Sequence, residues 1–240
     1  MEREQILGDE ARARVPEQFI PQDIHIVNPP TFVIAIEKLA KKLKMKQDEV
    51  EVNADGVTIQ SSSDLSFLEI SISQLSRWLR YIERSQKSKL SNGLRWYGRT
   101  NQHDLACGFD DMPRHSILSE KESNVDLIAW MAYSFKTLSA IEKDLHGESS
   151  FYMELQQSYH YYHNELFSKY WDEEKRCFGD LGVVDIVDGK EIIGFDSHVS
   201  YISILPFALS LMDENDPHIT AILDLLEDEN LVRVVIYCDI

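Results

Sequence analysis

Two neighbouring carboxylates, Asp110 and Asp111, lie in a short segment that spans residues 107–114 and reads CGFDDMPR, here named the Asp-Asp segment. Gly108 lets a ligand or another chain approach the backbone closely, and the Pro-Arg pair at the end of the segment stops a local helix. A carboxylic acid in such a loop can protonate a glycosidic oxygen, which is one requirement for cleaving a sugar linkage. The same pattern is also typical of a simple turn, because Asp caps the backbone and Pro fixes φ.

A second segment, residues 95–99, reads RWYGR and shortly precedes the first one. We name it the tryptophan segment, after Trp96. An indole ring can cover the apolar face of a pyranose, and the guanidinium groups of Arg95 and Arg99 can bind hydroxyls or orient carboxylates. Together the two segments indicate a sugar-cleaving site. The alternative is a structural corner in which an arginine packs its aliphatic stem, and residue types alone do not decide between the two.

Both segments resemble those of the processing α-glucosidase I family, the mannosyl-oligosaccharide glucosidases. That family has an aromatic-Arg-Trp-x-Gly-Arg segment and a Ser-Gly-Leu-Asp-Asp-Tyr-Pro-Arg segment, and Cys107 stands where it usually has Ser. The resemblance extends from about Ile6 to about Val232, in order and with sensible spacing. Its other parts are residues 7–16, 28–30, 78–86, 125–130 and 201–217.

The resemblance implies an activity and a role for each motif residue. The implied reaction is hydrolysis, with inversion, of the outermost α-1,2-linked glucose of the triglucosylated high-mannose N-glycan on newly made glycoproteins. Asp110 corresponds to the general acid, which must have a pKa above the usual value of about 4 to hold a proton at neutral pH. Asp111 and Arg114 are predicted to fix the loop. The residues predicted to lie on the substrate side are Arg95, Trp96, Arg99 and Gly108.

The general base of the family is a glutamate far toward the C-terminus, beyond a tryptophan-rich segment. This sequence departs from the family pattern after about Val232, so we expect the base to lie outside these 240 residues. The expectation is then that the chain is a fragment, an incomplete gene model or a short isoform. A competing interpretation is a non-catalytic fragment that at most binds oligosaccharide, and a third is an all-α scaffold with no role in sugar chemistry.

Composition restricts the partners. The chain has 24 basic and 41 acidic side chains and a formal net charge of -17, which disfavours nucleic acid and anionic membranes but suits a neutral, hydroxyl-rich ligand. The three cysteines have neither metal-ligand spacing nor the pattern of a disulfide framework, and no metal or other cofactor is predicted.

Targeting signals are also predicted to be missing. No stretch approaches the roughly 20 apolar residues of a membrane helix, and residues 1–5 do not begin a signal peptide. We therefore expect no direct membrane contact from this chain. The resemblance implies a place in the endoplasmic reticulum lumen, where full-length family members are held by an anchor that this chain does not carry.

Hydrophobic periodicity predicts about six helices, near residues 31–44, 64–88, 124–146, 150–171, 198–212 and 216–229. Ser123 and Asn124 are predicted caps, and Gly147 is a predicted helix end. Branched residues on both sides of an Asp-Gly pair predict a β-hairpin within residues 183–193. The predicted fold class is all-α with this hairpin as an insertion, and the resemblance implies about half of an (α/α)6 toroid.

The predicted domain organisation has three parts. Residues 1–30 form an irregular lead-in, because their prolines prevent continuous helix. Residues 31–232 form the partial catalytic domain, and residues 233–240 are a tail without similarity to the family.

Overall fold

The computed structural model describes residues 25–50, 62–100, 104–109, 117–196 and 198–228, with the shorter pieces 3–4, 13–14, 21–23, 112 and 114–115. The candidate acid Asp110, its neighbour Asp111 and the tail at residues 233–240 lie outside the described residues, as does more than half of the predicted lead-in at residues 1–30.

Helices dominate the part of the chain that the structure describes, as the periodicity predicted. The six α-helices there are α1 (Phe32–Val50), α2 (Ser62–Ser85), α3 (Val125–His146), α4 (Ser150–Lys169), α5 (Tyr201–Ala208) and α6 (His218–Glu227). A short 3-10 turn covers Leu105–Cys107. The largest differences in boundary are at α1, which continues to Val50 instead of ending near residue 44, and at α5, which is shorter than predicted and begins where Ser200 closes a capping box with Ser203.

Strands in the described ranges form three antiparallel pairs of two strands each. They are β1 (Arg3–Glu4) with β2 (Pro21–Gln22), β3 (Trp171–Asp172) with β4 (Cys177–Phe178), and β5 (Leu181–Val187) with β6 (Lys190–Phe195). The third pair is the predicted hairpin. Its turn residues, Asp188 and Gly189, have φ of 51° and 72°, which a two-residue hairpin turn of the I′ type requires.

Helix α3 occupies the centre of the described fold and packs against α1, α2, α4 and α5. Of its 22 residues, 16 are buried, and they include the polar Asp126 in its first turn. The start of this helix therefore lies in the interior, where any charged group needs a partner. The helix arrangement agrees with a mostly helical fold, and its description as half of a closed ring stays a prediction.

No helix in the described ranges combines the length and the apolar character that crossing a membrane requires.

Candidate functional site

The tryptophan segment is held by Gln86, which directly follows α2 and is fully buried. The backbone oxygen of Gln86 accepts a hydrogen bond from Arg95 N at 2.8 Å, and its side-chain oxygen accepts one from Tyr97 N at 3.0 Å. Gly98 has φ of 92°, and a Cβ there would come within 2.8 Å of Ile26. The segment therefore folds back along the end of α2 and needs glycine at its last turn.

Trp96 lies in the interior, with 1% of its surface exposed. Its backbone N–H donates to Asn124 Oδ1 at 2.9 Å, and its indole N–H donates to the two carboxylate oxygens of Asp126 at 3.0 and 3.1 Å. In this arrangement the ring is covered by protein. The predicted sugar contact stays a prediction, and the geometry favours a role in orienting Asp126.

Arg114, the last residue of the Asp-Asp segment, lies in the centre of a buried ionic cluster. Its Nη2 donates to Asp126 Oδ2 at 2.6 Å, and its Nη1 donates to Asp180. Its Nε lies 3.0 Å from Asp104 Oδ2, but this ion pair is not aligned as a hydrogen bond. One guanidinium thus joins the Asp-Asp segment to three other places in the chain. The predicted loop-fixing role of Arg114 accords with these contacts and stays a prediction.

Asp180 directly precedes β5 and supplies the cap of α3. Its Oδ1 accepts a hydrogen bond from Val125 N at 2.7 Å, and its Oδ2 accepts one from Asn124 Nδ2 at 3.1 Å. Asn124 occupies the N-cap position of this helix, as predicted, but neither its side chain nor that of Ser123 makes the capping bond. The physical reason is competition: the Asn124 oxygen accepts from Trp96 N, and the Ser123 hydroxyl accepts from a second buried N–H of the incoming chain.

Arg99 and Glu122 form a second buried ion pair beside the cluster, with side chains 7% and 2% exposed. Arg99 also donates to the backbone oxygen of His115, and Glu122 Oε1 accepts from Asn124 Nδ2 at 2.9 Å. The guanidinium that was assigned to the substrate side is thus engaged inside the protein. Its substrate contact stays a prediction.

The remaining substrate-side candidates lie nearer the surface. The Arg95 guanidinium stacks over the Tyr97 ring, with its Cζ 4.1 Å from the ring centroid. Gly108 is exposed, has φ of 79° and follows the 3-10 turn, so a residue with a side chain would be strained there. The structure therefore separates the predicted residues into a buried group (Trp96, Arg99, Arg114) and a more exposed group (Arg95, Gly108).

The two ion clusters together place four carboxylates around two guanidinium groups: Asp104, Glu122, Asp126 and Asp180 around Arg99 and Arg114. Burial raises the pKa of Asp104 to about 6, although the charge of Arg114 opposes the shift. Burial also raises the pKa values of Glu122 and Asp126. Both oxygens of Asp104 lack a hydrogen-bond donor within the described residues, so its charged form is not stabilised by hydrogen bonds there.

We expect Asp104→Asn to change how stability depends on pH. In the wild type, the unfolded carboxyl ionises near pH 3.8 but the folded one only near pH 6. The folded state therefore binds more protons between these values, and stability falls as pH rises, by on the order of 1–3 kcal/mol from this group. Urea unfolding between pH 4 and pH 7 should show a shallower fall in the Asn variant. The exposed Asp185→Asn is the control, and equal slopes in all three proteins would contradict the shift.

None of the four buried carboxylates was predicted from the sequence as a site residue. Asp126 carried a usable signal, because it is the second residue of a helix whose first turn is otherwise apolar. Asp180 carried little signal, since its partners are 55 and 66 residues away along the chain.

Comparisons with known proteins extend over nearly the whole chain. Residues 1–234 match the profile of the glycosyl hydrolase family 63 C-terminal domain. The "Probable mannosyl-oligosaccharide glucosidase" of Schizosaccharomyces pombe is 32% identical over 95% of this chain and 31% of its own length. The mannosyl-oligosaccharide glucosidase of Saccharomyces cerevisiae is 27% identical over 94% of this chain and 31% of its own length. The chain thus spans about a third of the length of these curated relatives.

A solved structure is also similar. It is the crystal structure of the GH63 mannosylglycerate hydrolase from Thermus thermophilus in complex with glucose, which matches with a TM-score of 0.56 and 13% identity. The match covers 89% of this chain and 54% of the other. At that level of identity, the similarity shows a shared fold alone.

Proposed function

The chain belongs to glycosyl hydrolase family 63, and on that premise we propose that it forms the acid-bearing part of a glycosidase site acting on N-glycan oligosaccharides. The observation that carries the proposal is the family match over residues 1–234, together with relatives named as mannosyl-oligosaccharide glucosidases. The buried cluster behind Arg114 supports it, because it gives the Asp-Asp segment a fixed anchor.

The finer proposal specifies substrate, place and shape. The substrate is the triglucosylated high-mannose N-glycan, the bond is that of the outermost α-1,2-linked glucose, and the place is the endoplasmic reticulum lumen. In shape, we propose that α1 to α6 correspond to about half of an (α/α)6 toroid. The family resemblance of the two motif segments supports these statements, and the TM-score of 0.56 to a family 63 structure is compatible with the shape.

An inverting mechanism needs two carboxyl groups, and this chain is proposed to supply one of them. One carboxyl protonates the leaving oxygen, and a second activates water from the opposite face of the sugar, at about 6.5–9.5 Å from the first. We propose Asp110 as the proton donor. The buried cluster that includes Arg114, four residues further along, has more carboxylates than guanidinium groups. Where such a negative surplus lies close to another carboxyl, it disfavours the ionisation of that carboxyl, which is the direction a general acid needs.

A chimera tests this proposal. Residues 1–234 would replace the matching segment of the Schizosaccharomyces pombe relative, and glucose release from a triglucosylated glycan would be followed by chromatography. Proton NMR at early times would identify the anomer that is released. We expect the chimera to release glucose of inverted, β configuration. Initial release of the α anomer would contradict inversion, and a folded chimera that is inactive beside an active parent would contradict the acid-bearing role.

We expect residues 1–240 alone to release glucose at less than about one per cent of the parent rate. The reason is that the resemblance places the general base outside these residues, and base assistance is typically worth about 10²–10⁴-fold. The measurement is a glucose assay of the purified chain beside the parent enzyme. A higher rate would mean that a base lies within this chain, and binding without release would favour the alternative of a non-catalytic oligosaccharide-binding chain.

A further inference from the structure

Asp180 is fully buried and makes more contacts than a helix cap needs. One oxygen accepts from Val125 N at 2.7 Å, and the other faces both Asn124 Nδ2 and Arg114 Nη1. The first contact needs only an oxygen atom. The second set needs a negative charge, because Arg114 is a buried cation.

The position of Asp180 is itself fixed by the base of the hairpin. Ser123 N donates to Leu181 O at 2.7 Å, and Leu181 N donates to Ser123 O at 3.0 Å. This reciprocal pair ties the residue after Asp180 to the residues before α3. Asp180 is therefore a rigid point, and a group bonded to it is held in place.

The hairpin base also packs on the residue that follows Arg114. His115 Nε2 lies 3.3 Å from the backbone oxygen of Asp180. A Cβ on Gly182 would come within 2.6 Å of the His115 ring, so the two chain segments are in close contact. Residues 114 and 115 are thus held by Asp180 on both the side-chain and the backbone side.

We propose that Asp180 is a positioning residue of this glycosidase site: it holds Arg114, and with it the C-terminal end of the Asp-Asp segment, against the first turn of α3. The inference rests on the proposed function only in calling the site a glycosidase site. The positioning itself concerns contacts within this chain. Arg114 also lies 3.0 Å from Asp104, which precedes the same segment, so holding Arg114 restrains both ends of the loop.

Asp180→Asn separates capping from positioning. Asparagine keeps an oxygen for Val125 N, but it places an uncharged amide against Arg114 and Asn124. If Asp180 serves only as a cap, the variant should behave like the wild type. If it positions Arg114, the Asp-Asp segment should open locally while α3 stays folded.

Limited trypsin digestion measures this opening without any need for enzymatic activity. We expect cleavage between Arg114 and His115 to become at least about tenfold faster in Asp180→Asn, because proteolysis follows the population of the open segment. Cleavage after Lys136, in the middle of α3, reports unfolding of that helix in the same digest and should change little. The matched control is Asp185→Asn, an exposed carboxylate on the same hairpin.

A second variant covers the case in which Asp180→Asn does not fold. Arg114→Lys keeps the charge and the trypsin site but loses the forked hydrogen bonds, and the same selective cleavage is expected. Equal acceleration at residues 114 and 136, or no acceleration in either variant, would overturn the proposal.

Activity in the chimera gives the remaining readout. We expect Asp180→Asn to lower kcat with little change in KM, and Asp180→Glu to recover part of the loss. If the chimera is inactive but the digest is selective, the proposed function fails and the positioning stands. If the chimera is active and the digest shows no selectivity, the positioning fails and the proposed function stands.

Discussion

In the active chimera, Asp110→Asn is expected to lower kcat on the natural glycan by about 10²–10⁴-fold, with the fold intact. The reason is that the leaving oxygen of a glycosidic bond must be protonated as the bond breaks, and an amide cannot supply that proton. The measurement is steady-state glucose release together with circular dichroism of both proteins. Turnover like that of the wild type would reject Asp110 as the acid.

The leaving group offers a sharper control for the same variant. Fluoride departs without protonation, so hydrolysis of a glucosyl fluoride should be far less sensitive to Asp110→Asn than hydrolysis of the glycan. Asp111→Asn is the matched neighbour. The acid role would pass to Asp111 if Asp111→Asn, rather than Asp110→Asn, strongly lowered kcat on the glycan but hardly changed kcat on the fluoride.

Arg114→Met is expected to give the largest loss of stability, about 3–5 kcal/mol in the free energy of unfolding. It leaves Asp104, Asp126 and Asp180 buried without the cation that they share. Urea unfolding at pH 7.5 is the measurement. The control is Arg176→Met, which removes an exposed ion pair with Asp224 and should cost at most about 1 kcal/mol.

The cost of Arg114→Met should also depend on pH. Asp104 already has a pKa of about 6 in the wild type, because burial disfavours its charge, and losing Arg114 can only raise that pKa further. Protonated carboxyls need no cation, so the loss of unfolding free energy caused by Arg114→Met should shrink as pH falls from 7.5 to 5. A loss no larger than that of Arg176→Met at pH 7.5 would show that the cluster does not depend on Arg114.

Local elements could be predicted from the sequence because their causes are local. Apolar residues at helical spacing predicted all six described helices, Gly147 predicted the end of α3, and Asp188–Gly189 predicted the turn of the hairpin. The two-residue strand pairs were not predicted, because two residues are too few to show alternation. The two motif segments indicated the family, and the family match over residues 1–234 confirms it.

The surroundings of the motif residues could not be predicted in the same way. The predicted sugar contact of Trp96 stays a prediction, but its ring is buried, and the first turn of α3 brings the Asp126 carboxylate to the indole N–H. Asn124 holds the predicted cap position of α3, yet the side chain that accepts from the first helical N–H belongs to Asp180.

What the sequence by itself determined, then, is which residues can do chemistry and which short stretches are helical or hairpin, since both follow from residue type and spacing. Only the tertiary structure decided that Arg114 is shared by Asp104, Asp126 and Asp180. The physical reason is that a buried charge selects its partners by proximity in space, from segments as far apart as residues 104 and 180. No local sequence pattern indicates which residues will be the partners of a buried charge.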